Sequence, residues 1–190
     1  MAKVKLNPIL EQISGKVGDL VFRKYGDQTV LSQTPDVSNR DWTPAQLAHR
    51  EQFRQAALYG KIVMADPETK ALYADAAAAK GQPVFSLTVA DFFNAPSVEE
   101  VDLAGYGGAV GDEIVIRASD DFEVVAVAVM LADDAGNPLE SGPATETPAD
   151  SGRWIYTATA AVTTGTTVRI AVTANDRPGG IGTGEGEKAL

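Results

Sequence analysis

Residues 122–131, FEVVAVAVML, constrain this chain more than any other segment. A strand with one face in water alternates apolar and polar residues. Here Val125, Val127, Val129 and Leu131 make one apolar row, and Val124, Ala126, Ala128 and Met130 make the other. A strand built this way belongs under cover on both sides. One cover is an opposing sheet. The other is the helical part of the same chain, its glycine-rich tail or a second molecule. Covering the second row removes roughly 200 Å² of apolar surface, worth about 5 kcal/mol at about 25 cal/mol/Å². Leaving it wet forgoes that stabilisation and invites association.

The surrounding sequence supplies the opposing sheet. Beyond Pro96 the apolar period shifts from that of a helix to that of a strand. Strands are expected at residues 98–103, 113–117, 122–131, 144–147, 153–157 and 167–174. Turn-forming stretches separate them at 105–111, 133–137, 150–152 and 163–165. In the last strand Val168, Ile170 and Val172 alternate with Thr167, Arg169 and Thr173. Short strands at this spacing predict an antiparallel sandwich. No cysteine is present to bridge its sheets, so Trp154 is the expected core anchor. Residues 179–190 are glycine-rich and read as a tail, mobile unless something holds it.

The first 95 residues read differently. Residues 19–25 and 28–32 flank Gly26-Asp27, which suits a two-residue hairpin turn. Thr43-Pro44-Ala45-Gln46 is a capping box with proline at the first helical position, opening a helix to about Met64. Its stripe is Phe53, Ala56, Ala57, Gly60, Val63 and Met64, small enough in the middle to let another backbone approach. Asp66-Pro67 opens a second helix, running to Lys80 and stopped by Gly81. Ser86 is the expected cap of a third, at 87–94. The fold class is therefore α+β: a β-hairpin and three-helix unit at 1–95, an antiparallel immunoglobulin-like β-sandwich at 96–178, and the tail at 179–190.

Two resemblances accompany this reading. The segments 125–136, Trp154-Ile-Tyr-Thr-Ala158 and 170–179, with their Asp-Gly loop and Asp-Arg-Pro-Gly ending, resemble immunoglobulin-like sandwiches of bacterial surface and filament proteins. Thr43, Ala45, Gln46, Phe53, Ala56, Tyr59, Ala65, Asp66, Pro67, Lys70 and Tyr73 are similar to a pattern in a bacterial protein group with an N-terminal hairpin and helix domain. That second group has no assigned activity, so this resemblance implies no functional residue.

Chemistry is sparse. His49 is the only histidine, so a histidine-based zinc site has no second ligand. Gly105–Gly111 is followed by a strand pattern rather than a helix, which argues for a turn and against a dinucleotide fingerprint. Asp133-Asp134-Ala135-Gly136-Asn137 lacks the alternating acidic pattern of an EF-hand and reads as a hairpin turn, with a weak surface calcium site left open alongside Asp120-Asp121. No serine sits in a nucleophile elbow. No catalytic residue, cofactor or metal is expected.

The net charge of −10 is uneven. Residues 1–95 hold 11 Lys+Arg against 10 Asp+Glu, whereas residues 96–190 hold 5 against 16. The acidic half repels phosphates, which makes nucleic acid an unexpected partner. No apolar run reaches the roughly 20 residues of a membrane helix, and Asn7, Pro8, Glu11 and Gln12 interrupt any signal-peptide core. The location is cytoplasmic, or exported by a route without a cleaved signal. The expectation is a non-enzymatic structural subunit of bacterial or phage type, a homo-oligomer or polymer forming a filament, sheath or surface layer. The alternative is a binding module for a protein, glycan or nucleic acid. The expected interface residues are Val124, Ala126, Ala128, Met130, Val4, Leu6 and Phe22.

Overall fold

The structure, a computed structural model, describes residues 2–3, 14–25, 28–36 and 41–190. The described residues form three helices and three antiparallel four-stranded sheets, an α+β chain. It divides into two compact units, Met1–Gln46 and Leu47–Leu190. The helices therefore fall largely in the same unit as the strands that follow them.

The first unit holds β1 (Ala2–Lys3), β2 (Gly15–Val17), β3 (Leu20–Tyr25) and β4 (Gln28–Gln33), in the order β1-β4-β3-β2. Tyr25 faces Gln28 across β3 and β4, and Leu20 faces Gln33. Gly18, at φ +60°, stands between β2 and β3, where Val17 pairs with Leu20. That left-handed conformation is cheap only for glycine. No side chain whose burial is described in this unit is buried.

The helices of the second unit follow from their caps. In α1 (Pro44–Ala65) the Thr43 hydroxyl accepts from the Gln46 amide at 3.3 Å, and Gln46 Oε1 accepts from the Thr43 amide at 3.0 Å. In α2 (Pro67–Ala79) the Asp66 carboxylate accepts from the Thr69 amide at 3.2 Å. The third helix, α3 (Val84–Phe93), starts before the position that Ser86 would have capped. Pro83 is its N-cap and makes no side-chain capping bond; a proline ahead of the first turn supplies the extended backbone instead. Val63, Tyr73, Ala77 and Leu87 form a small core between the helices. A Cβ on Gly60 would lie 2.8 Å from Phe85 Cε2 and from Thr88 Oγ1, so this glycine is what lets α3 approach α1. From the same stripe Ala56 and Val63 are buried, while Phe53 and Met64 are exposed.

The remaining strands are β5 (Ser97–Asp102), β6 (Glu113–Ser119), β7 (Val124–Ala132), β8 (Pro138–Pro143), β9 (Thr145–Glu146), β10 (Arg153–Thr157), β11 (Thr167–Asp176) and β12 (Ile181–Ala189). They build two sheets, β5-β6-β10-β9 and β12-β11-β7-β8. Both contribute to a single core. Ile114, Ile116, Trp154 and Tyr156 come from the first sheet, and Val127, Val129, Leu131, Val168, Ile170 and Val172 from the second. Trp154 is buried in it, as expected of an anchor.

The glycine-rich end is a strand rather than a tail. From Ile181 to Ala189 it pairs with β11, Ile181 facing Asn175 and Ala189 facing Thr167. Gly182, Gly184 and Gly186 face inward at alternate positions. A Cβ on Gly182 would lie 2.0 Å from the Pro96 carbonyl oxygen, and one on Gly184 would lie 2.4 Å from Val98 Cγ1. Only glycines let β12 lie this close to β5, which closes one side of the core. On the other side the chain passes from β8 directly into β9. The Ala144 amide still bonds the Val127 carbonyl of the second sheet, at 2.8 Å, while Thr145 already pairs with Ile155 of the first.

Candidate functional site

The second row of β7 lies open. Ala126, Ala128 and Met130 are exposed, Met130 at 49%. Their cross-strand neighbours set the patch. Ala128 lies between Thr173 of β11 and Pro143 of β8, and Met130 lies between Ala171 and Ser141. The side chains around Met130 are short, so it stands up from a flat floor. One shallow hollow on this face is lined by Ala128, Ser141, Pro143 and Thr173; another, towards Arg169, Glu185 and Glu187, begins at Met130 itself. Arg169 and Glu187 form an exposed ion pair at 3.6 Å on that rim.

Val124 does not belong to the open row. It is half-buried against the core, whereas Val125 is 46% exposed. The cause is a bulge. Ala126 pairs with Asn175 and Val124 with Asp176, so Val125 is the extra residue and the alternation slips by one. Phe22 lies in β3 of the other unit, half-buried, between Gly15 and Leu31. Val4 and Leu6 lie outside the described residues.

The segments weighed for chemistry have local structural tasks. His49 is exposed, its ring centroid 5.5 Å from that of Phe93. In the 105–111 stretch the Asp112 carboxylate accepts from the amides of Gly107 and Ala109 at 2.8 and 2.9 Å. These bonds favour the ionised form, hold its pKa below the ordinary carboxylate range and make the stretch a carboxylate-braced turn. Asp133 is committed likewise. It accepts from the amide and side chain of Asn137, both at 2.8 Å, and joins β7 to β8. Among the described residues, no group of three or more His, Cys, Asp or Glu side chains is arranged to hold a metal ion. No helix among them is long and apolar enough to cross a membrane.

A polar seam that the sequence did not single out joins the helices to the two sheets. Phe122, in the turn between β6 and β7, stacks on Tyr73 with centroids 3.9 Å apart. Tyr59 and Tyr73 share a hydrogen bond of 2.8 Å, and the Tyr73 hydroxyl donates to Asp91 Oδ2. Lys80 donates to the Asp121 carbonyl and Asn94 to the Asp121 carboxylate. Arg177 pairs with Glu123 at 2.7 Å. Asp91 is fully buried on α3 and Asp176 is 6% exposed at the end of β11. Burial raises the pKa of Asp91 to about 7; Tyr73 opposes this, and the charges of Asp120 and Asp176 add to it.

No protein-family model and no curated protein matches the chain. Three solved structures resemble about half of it. CopC from Methylosinus trichosporium OB3b matches at 13% identity over 48% of this chain and 89% of that one, with a TM-score of 0.37. BhCBM56 matches at 18% over 50% and 92%, with a TM-score of 0.32. A conjugative transposon lipoprotein from Bacteroides eggerthii DSM 20697 matches at 15% over 48% and 92%, with a TM-score of 0.26. Likenesses at this level carry no residue and no activity to this chain.

Proposed function

We propose that the chain is a non-enzymatic structural subunit, an immunoglobulin-like sandwich that carries three helices and follows a small sheet unit, and that it associates with further copies of itself. The observation that carries this reading is the open row Ala126, Ala128 and Met130 on a strand paired on both sides. A row of this composition lowers its free energy by leaving water. A second copy is the occupant that fits it. Met130 is a raised, adaptable side chain beside a shallow hollow. A two-fold partner would place each methionine in the hollow of the other copy, and self-complementarity of that kind is what an isologous contact requires. Two sheet faces bearing alanines can also approach at the ordinary spacing of about 10 Å.

The row supplies only the middle of a contact. A stable interface covers roughly 1,600 Å² in total, so the Arg169 and Glu187 rim and further surface have to join it. Extension beyond a pair, into a filament, sheath or layer, needs a second contact; the strands of the first unit, with Val17 and Tyr25 exposed, offer sheet edges for one. Size-exclusion chromatography with light scattering, followed by negative-stain microscopy, tests the reading. Concentration-dependent growth into regular particles supports it. A single monomeric mass at every concentration removes it. Retention on an immobilised glycan or DNA by such a monomer would favour a binding module instead.

A further inference from the structure

The polar seam holds more carboxylates than its partners can satisfy. Asp91 on α3, Asp120 in the turn after β6 and Asp176 at the end of β11 meet there from three separate elements. Asp91 Oδ1, both carboxylate oxygens of Asp120 and Asp176 Oδ2 are buried with no hydrogen-bond partner. The other oxygens are occupied. Asp91 Oδ2 accepts from Tyr73, and Asp176 Oδ1 accepts from the amides of Gly179 and Gly180. Four orphaned oxygens in one place are costly unless something positive lies among them. The Asp120 carboxylate acts on Asp91 from nearby, and like charge there favours a proton on Asp91. The three side chains do not form a cage for a metal ion.

Every element packed on Asp91 brings a titratable or charged group. Tyr59 comes from α1, Tyr73 from α2, Asp120 from the turn, and Asp176 and Arg177 from the end of β11. Burial pushes both tyrosines up, so they stay neutral donors. Arg177 is paired with Glu123. The Lys80 ammonium is held on the Asp121 carbonyl, and no described ion pair engages any of the three carboxylates.

We propose that Asp91, Asp120 and Asp176 form a proton-operated latch between the helices and the two-sheet core, closed while Asp91 carries a proton and loosened when Asp91 ionises beside the other two. The latch takes up a proton that the unfolded chain does not hold. Stability therefore falls as pH rises from the ordinary aspartate range, near about 4, towards about 7, where Asp91 releases its proton. For one proton the folding equilibrium weakens by up to about tenfold per pH unit in that window.

Thermal melts of the full chain, followed by helical far-UV circular dichroism between about pH 5 and about pH 8.5, test this, with Asp91→Asn alongside. The wild type should melt at falling temperature as pH rises, and Asp91→Asn, neutral at every pH, should melt with a much flatter dependence. Equal slopes for the two proteins would overturn the latch. Should Asp91→Asn fail to fold, Asp120→Asn replaces it, and the carboxyl ¹³C titration of Asp91 in the wild type decides alone: a midpoint in the ordinary aspartate range overturns the proposal. Millimolar calcium or magnesium at about pH 8 should leave the wild-type melt unchanged. A rise in the wild type that Asp91→Asn lacks would replace the proton with a cation and overturn it too.

Discussion

Replacing Gly182 with alanine is the sharpest test of how the core is closed. The added Cβ would sit 2.0 Å from the Pro96 carbonyl oxygen and 2.7 Å from its carbonyl carbon. Both are backbone atoms, so no side chain can turn aside, and either β5 or β12 must move by more than about 1 Å. Overpacking of this kind costs roughly 1–3 kcal/mol. The lower entropy of an unfolded alanine returns only about 0.4–1 kcal/mol, which leaves a loss of about 1–2 kcal/mol. For a unit of this size that is a fall in Tm of roughly 3–8 °C. Gly184→Ala, meeting the stiff Val98 side chain at 2.4 Å, should cost about as much. Gly186→Ala is the control. Its Cβ would meet Leu103 Cδ1 at 3.1 Å, the movable end of a leucine, and should change stability by less than about 0.5 kcal/mol. Chemical denaturation followed by tryptophan fluorescence measures all three. Equal stability of Gly182→Ala and Gly186→Ala would show that β12 does not lie on β5, and the glycine-rich end would return to being a tail.

Two further outcomes follow from single side chains. Asp66→Ala removes the cap of α2 and should lower stability by about 1 kcal/mol, read as an earlier loss of helical signal on heating. Glu140 is pushed up by burial but held below the ordinary range overall, because it accepts from the Thr159 amide and hydroxyl and the Ala160 amide. Its contribution is present above the unfolded value and lost as pH falls through the lower folded one. Glu140→Gln should therefore cost roughly 1–2 kcal/mol near neutral pH and flatten the acid side of the stability profile, the opposite limb from that expected of Asp91.

What the sequence made legible was whatever depends on local pattern. The strands at 113–117, 153–157 and 167–174 stand where their alternation put them, because both faces of each are specified by neighbouring residues. The capped starts of α1 and α2 were equally plain, since Thr43 with Gln46 and Asp66 with Thr69 act within one turn. β8 was missed. Pro138 and Pro143 argue against a strand in the sequence, and its place at the sheet's edge is what accommodates them. β12 was read as a tail because its glycines signal freedom locally, whereas their reason lies in Pro96, Val98 and Leu103, roughly 85 residues away. The open row of β7 was visible as a second apolar face, but the bulge that withdraws Val124 depends on β11. The carboxylate latch was invisible for the same reason: positions 91, 120 and 176 share no local pattern, and only the fold brings them together.

Sedimentation velocity over a range of concentration and salt, comparing the wild type with Ala128→Lys, tests self-association most directly. The wild type should grow in mass with concentration. Added salt should favour growth, since it screens the −10 charge that each copy carries. Ala128→Lys places a charge in the middle of the open row and should stay monomeric while melting as the wild type does. A wild type that sediments as one monomer throughout, or a lysine variant that assembles just as well, would contradict the account.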